Sequence, residues 1–134
     1  ANLAGEDLQG ADLTLVNLSG ADLSKTNLRS ALLTKAKLAG ANLQGANLAK
    51  GNLTWANLSE ANAKKANFAG ADLTSADLKW TNLGQANLRG TDLTGADLSY
   101  ASLFKANLSS AEWASARFCK TTMPDGTINN AGCH

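Results

Sequence analysis

From Leu3 to Phe118 every fifth residue is apolar, without one slip of register. If Ala21, Asp22, Leu23, Ser24 and Lys25 define slots one to five, slot three is Leu at 20 of 24 occurrences, the exceptions being Ala63, Phe68, Trp113 and Phe118. Slot one is Ala at 18 of 24 and slot two is Asn or Asp at 19 of 24. On an α-helix a five-residue period rotates the apolar position by about 140° per repeat, and on a strand an odd period sends alternate Leu to opposite faces. Neither a long helix nor a long strand fits. A coil that changes direction once per repeat does, with slots one and three inside, slot two outside and slots four and five at the corner.

The outward slots tell how many sides close one turn. Thr fills slot four at Thr14, Thr34, Thr54, Thr74 and Thr94 and nowhere else in that slot. The spacing is 20 residues, or four sides, and β-branched residues stacked on one face pair favourably. With rungs ~4.8 Å apart, about six coils make a rod on the order of 30 Å long. Slot one must be small because four sides converge on a narrow interior, and Val16 is the largest apolar residue there. Asn and Asp in slot two suit repeated turns. Gly in slot five, as at Gly20 and Gly40, suits corners that need positive φ. Ala63 removes volume from the axis and the next repeat supplies the oversized Phe68, so the Phe68 ring is expected to lean into that gap.

These residues resemble the pentapeptide-repeat proteins, whose consensus of Ala, Asp or Asn, Leu and two variable residues runs through Ala11–Lys120. The resemblance implies an all-β fold, a right-handed quadrilateral β-helix or solenoid with slot-three Leu stacked along its axis. The β-helix is expected over 1–118 and a short C-terminal capping tail over 119–134. Trp113 and Phe118 put two wide rings in the last axial slots. An open solenoid end invites edge association unless covered. Met123, Pro124, Asp125 and Gly126 carry a turn signal that would fold Met123 and Ile128 back over the last coil.

Cys119 and Cys133, the two cysteines, bracket this tail. A disulfide clasp, a pair of unpaired thiols and metal ligation together with His134 are the three readings. The first would contribute ~3 kcal/mol in the chain-entropy model and implies an oxidising compartment. The tail from Cys119 to Thr127 is similar to the ending of pentapeptide-repeat proteins of cyanobacteria and of the thylakoid lumen. That resemblance implies export to a thylakoid lumen or periplasm. The chain starts at Ala1 without Met, which fits a removed targeting peptide or a trimmed boundary. No apolar run approaches membrane-spanning length, so no membrane insertion is expected. With no matching cap in the first coil, the expected state is a monomer or weak self-association through the N-terminal coil.

Catalytic chemistry finds little footing. The one His is terminal and no Ser sits in a nucleophile motif, so an enzyme is not expected, nor a cofactor. Asp72, Asp92 and Glu112 share one outward column, with Asp77 and Asp97 in the next; they read as turn-forming acids, with a weak cation site as the alternative. Trp80 and Tyr100 lie 20 residues apart in slot five and should stack, with Phe104 near the same corner and Trp55 on an adjoining face. Such rings either shield backbone or mark a contact surface for a protein partner. The best-understood members of the resembled family mimic duplex DNA and act on type II topoisomerases. With 12 basic and 11 acidic residues, net charge +1, this chain is wrong for a nucleic-acid mimic, and its scattered Lys and Arg are wrong for nucleic-acid binding. One Thr column is thin support for ice binding. The expected role is a rigid module displaying side chains to an unidentified protein.

Overall fold

In the computed structural model, which describes residues 1–133, the chain winds as a four-sided coil that repeats every 20 residues. Slot-two residues form parallel bridges to their counterparts one turn later, from Asn2 with Asp22 to Ser102 with Thr122, at every fifth position. Each turn holds four such bridges, one per side.

Accounting for the five N–H groups of one repeat explains the sequence pattern. In the repeat 52–56, Leu53 N–H donates to Asp72 O at 2.7 Å and Trp55 N–H to Thr74 O at 3.0 Å, both one turn ahead. Asn52 N–H reaches back to Ala31 O at 3.0 Å, and Ala56 N–H closes the corner on Leu53 O at 3.0 Å. Only the slot-four N–H has no backbone acceptor. Asn52 Oδ1 supplies one, taking Thr54 N–H at 3.1 Å. The same bond, from slot two to the N–H two residues on, is made by Asn or Asp along the whole rod, for instance Asn2, Asp22, Asn57, Asp77 and Asn107. Buried backbone groups must be paired, so the slot-two amide or carboxylate completes the wall.

Every slot-five residue up to Lys120 is left-handed, whether Gly, as at Gly20 (φ 69°), or not, as at Trp80 (φ 62°) and Glu60 (φ 61°). Gly relieves the corner where it occurs, and elsewhere ordinary side chains bear the cost of about 1–2 kcal/mol per L-residue. Inside, slot-three Leu from Leu23 to Leu103 and slot-one Ala from Ala21 to Ala101 are buried in one continuous core. Ala63 and Phe68 are both wholly buried on consecutive sides of one turn. In the first coil Leu3, Leu8, Leu13 and Leu18 are only partly covered, each having a rung on one side alone.

The coil register continues past Phe118, the expected end of the repeats. Thr122 N–H donates to Ala101 O at 3.0 Å, Leu103 N–H to Thr122 O at 2.7 Å and Lys105 N–H to Pro124 O at 2.9 Å. Residues 121–125 thus act as one more side. Thr121 takes slot one, its hydroxyl donating to Leu98 O at 2.7 Å as Thr91 does to Phe68 O, and Met123 packs on the core from slot three. Pro124 falls in slot four, the one position whose N–H the backbone leaves unpaired, so nothing is lost there. Strand β1 (Thr121–Thr122) then pairs antiparallel with β2 (Ile128–Asn129), which covers the free edge of this last side.

Ile128 departs from expectation. It is 56% exposed instead of folding over the coil, because β2 pairs through its backbone and turns this side chain outward. Near the end Trp113 and Phe118 pack edge to face at 5.8 Å, Phe118 lying against the core while Trp113 keeps 44% of its surface exposed.

Candidate functional site

Slots one to three are consumed by the wall and the core, so chemistry falls to the corner columns, where residues n and n+20 are neighbours. The column at 20, 40, 60, 80, 100 and 120 reads Gly, Gly, Glu, Trp, Tyr, Lys. Trp80 and Tyr100 stack face to face, with ring centroids 4.2 Å apart and planes 7° from parallel. Their separation is close to the rung spacing itself, so the coil sets the stack. Both are exposed. Lys120 places its ammonium 5.8 Å from the Tyr100 centroid and closes that end of the stack. At the other end an open recess of about 430 Å³ is lined by Glu60 and Trp80.

Trp55 is 65% exposed but belongs to the column of Leu15, Lys35 and Ser75, one whole side away from Trp80. Phe104 stands on the following side, where Lys105 Nζ lies 5.3 Å over its ring and the tail crosses it: a Cβ on Gly126 would sit 3.4 Å from Phe104 Cε1. The structure therefore unites Trp80 and Tyr100 and places Phe104, still 45% exposed, on a different side beside the tail turn. Glu60 and Lys120, which complete the column, escaped the sequence reading. The 20-residue period would have found them.

Cys119 and Cys133 form a disulfide across 14 residues. It borders a second recess, about 270 Å³, together with Lys79, Asp97, Tyr100 and Arg117. Tyr100 N–H donates to Cys119 O at 2.8 Å, so the clasp and the aromatic stack share a rung. His134, the remaining candidate ligand, lies outside the described residues.

Asp72, Asp92 and Glu112 do stack in one column. Asp72 and Asp92 are engaged in the turn bond, accepting from Thr74 N–H at 2.9 Å and Thr94 N–H at 3.0 Å. The Thr94 hydroxyl at 2.6 Å, then its N–H, hold the Asp92 carboxyl below its ordinary pKa. In the next column Lys79 pairs with Asp77 at 3.5 Å and Arg117 with Asp97 at 4.0 Å. Among the described residues no three His, Cys, Asp or Glu groups converge as a metal site would require. The Thr column is in register, with Thr54 Oγ1 3.4 Å from Thr34 Oγ1, and the hydroxyls of Thr14, Thr54 and Thr94 donate to Asp12, Asn52 and Asp92. Basic groups are less scattered than the sequence suggests: Lys25, Lys65 and Lys105 share one corner column, but Gly45 and Gln85 separate them at alternate rungs.

With this geometry in view, the family model for pentapeptide repeats matches the chain in overlapping segments, 1–29, 11–49, 36–74, 51–90 and 71–109. The chain is a pentapeptide-repeat protein. Its coil is accordingly the right-handed quadrilateral β-helix of that family. Among solved structures it is similar to a pentapeptide-repeat protein, Rfr23, from the cyanobacterium Cyanothece 51142, at 27% identity and TM-score 0.68, with 86% of this chain and 85% of that chain covered. QnrB1, a plasmid-mediated fluoroquinolone resistance protein, shares the fold at 14% identity and TM-score 0.55, covering 91% of this chain and 72% of that one. A pentapeptide-repeat protein from the Arabidopsis thaliana thylakoid lumen aligns at 26% identity and TM-score 0.43, over 95% of this chain and 71% of that one. No match is found among curated proteins. No described helix of this pentapeptide-repeat protein is long and apolar enough to cross a membrane.

Proposed function

We propose that this pentapeptide-repeat rod is a non-enzymatic display module whose Trp80–Tyr100 corner binds a protein partner. The observation that carries the reading is the stacked, exposed pair itself. Two bulky rings occupy left-handed corners of a kind that Gly fills at eight other repeats, so each is held at a backbone cost that the fold alone does not demand. Large, stiff, amphipathic side chains of this kind anchor protein contacts. The wall behind them is hydrogen-bonded at every rung, so the rings are presented without further ordering.

The compartment is an exported, oxidising one, a thylakoid lumen or a periplasm. Support comes from the Cys119–Cys133 bond, which persists where thiols are not kept reduced. Modulation of a type II topoisomerase by duplex mimicry is the poorer reading, since it needs a strongly acidic rod and this one carries net charge +1. An ice-binding face would need parallel Thr rows, and only one is present.

The test is capture from a thylakoid or periplasmic extract with the chain and with its Trp80→Ala/Tyr100→Ala form. A band retained by the first and lost by the second supports the reading; identical capture by both sinks it.

A further inference from the structure

The two ends of the aromatic stack differ, and the difference points to a ligand. At the Tyr100 end an ammonium, Lys120 Nζ, already sits 5.8 Å from the ring centroid. At the Trp80 end no cation of the described residues lies over the outer ring face. What lies there instead is the recess of about 430 Å³ shared with Glu60. Among the described residues the Glu60 carboxylate makes no ion pair and no side-chain hydrogen bond. Lys79, the residue before Trp80, is held by Asp77 at 3.5 Å.

The corner column below Glu60 is vacant. Gly40 and Gly20 follow toward the N-terminal end, and nothing stands within 4 Å of where a Cβ on either would be. No side chain therefore crowds these two corners, on the side of the column from which the carboxylate and the indole would be reached. Indole is the ring that attracts cations most strongly, and a carboxylate beside it adds a full opposite charge.

We propose that Trp80 and Glu60 form a receptor for the guanidinium of an arginine on the partner protein. The guanidinium stacks on the free indole face and turns its N–H fork to the Glu60 carboxylate, extending the column that Lys120 closes at the other end. Arginine is favoured over lysine because a flat cation matches a flat ring and can bind a carboxylate through two parallel N–H groups. The inference rests on the display reading above and names the chemistry that reading leaves open.

The experiment uses the whole chain, labelled with ¹⁵N, and three capped peptides, Gly-Arg-Gly, Gly-Lys-Gly and Gly-citrulline-Gly, the last an uncharged analogue of arginine's shape. The Trp80 indole signal is assigned by its loss in Trp80→Phe. The arginine peptide is expected to shift that signal and the Glu60 amide saturably, the lysine peptide to bind several-fold more weakly, and citrulline to leave both unmoved. Glu60→Gln, an exposed change to a residue that already stands at such a corner as Gln85 (φ 57°), should weaken the arginine titration roughly two- to fivefold. Equal shifts with arginine and citrulline, equal movement of the Trp55 indole, an unaltered titration in Glu60→Gln, or no saturable shift would each overturn the proposal. Extract capture separates the two levels of argument. If Trp80→Ala/Tyr100→Ala abolishes capture while Glu60→Lys preserves it, the arginine receptor is wrong and the display reading stands.

Discussion

Exchanging Ala63 and Phe68 for the consensus Leu tests whether the axis of the rod is packed as a jigsaw or tolerates a void. Both side chains are fully buried on consecutive sides of the same turn. The rungs beside them are not spread: Leu43 N–H meets Asn62 O at 2.6 Å, Leu48 N–H meets Asn67 O at 2.6 Å and Phe68 N–H meets Asn87 O at 2.7 Å, as short as elsewhere in the rod. A ring larger than Leu is therefore housed without separating the turns, and its extra volume must be found within the cross-section. Ala63 is where the cross-section is short. On this account Phe68→Leu leaves a cavity and costs about 1–2 kcal/mol, while Ala63→Leu overfills the turn and costs about 1–3 kcal/mol. The double exchange restores four leucines to the turn and should cost under about 1 kcal/mol, a coupling of about 1 kcal/mol or more between the sites. Guanidinium denaturation of the four proteins, with m-values compared to confirm one transition, measures it. An Ala63→Leu protein more stable than the parent, or single effects that add, would show that the two exceptions are independent and the void is real.

Other expectations concern the wall and its end. Leu32 occupies slot two and is 43% exposed, so Leu32→Asn should restore the missing acceptor for Thr34 N–H and stabilise the rod by about 1 kcal/mol in the same denaturation assay. Gly20 has open space around its Cβ position and φ of 69°, so Gly20→Ala should cost about 1–2 kcal/mol from backbone strain alone. Reducing the disulfide, or Cys119→Ser, should raise hydrogen exchange at Met123 and Gly132, whose amides bond to Thr127 O and Phe118 O, and at Tyr100, while Leu53 and Leu58 stay protected. Loss of protection throughout the rod would refute this local role. The carboxyls of Asp12, Asp22, Asp92 and Asp125 are held below the ordinary value by neighbouring hydroxyls and then by backbone N–H groups. Their contribution is complete above about pH 4 and declines as the pH falls through the lowered folded values. Asp92→Asn should flatten that decline in acid denaturation, since an amide oxygen accepts the same bonds without titrating.

Much of the fold was legible because one period carried three constraints at once: a small residue, an acceptor and a filler of the axis. The Thr ladder then fixed the number of sides. What escaped the reading lay where the pattern loosens. Thr121, Thr122 and Met123 continue the coil although they lack the consensus residues, because the backbone requires only a small slot one and an apolar slot three, and it leaves the slot-four N–H unpaired, so Pro124 costs no bond. Ile128 looked like a lid because it is apolar, and the Met123–Gly126 turn does bring the chain back, but the antiparallel pairing of β2 decides the direction of the side chain.

Function was harder to read for a related reason. A solenoid spends slots one to three on its own wall, so a motif search along the chain meets the same structural residues in every repeat. Anything the rod does for another molecule must be written in slots four and five, and there the neighbours are 20 residues apart. Read along the chain, Glu60, Trp80, Tyr100 and Lys120 are four unrelated corners. Read down the column, they place a carboxylate, two stacked rings and an ammonium in sequence, beside two glycines that leave the approach clear. Each of these side chains is held in a left-handed corner at similar backbone cost, so the column's composition is not imposed by the coil. Moving Trp80 to slot five of an adjacent side, by Trp80→Gln with Gln85→Trp, preserves composition and exchanges two exposed positions but breaks the column. If the column is the functional unit, that exchange should abolish partner capture without changing the denaturation midpoint; if exposed aromatics act singly, capture should survive it.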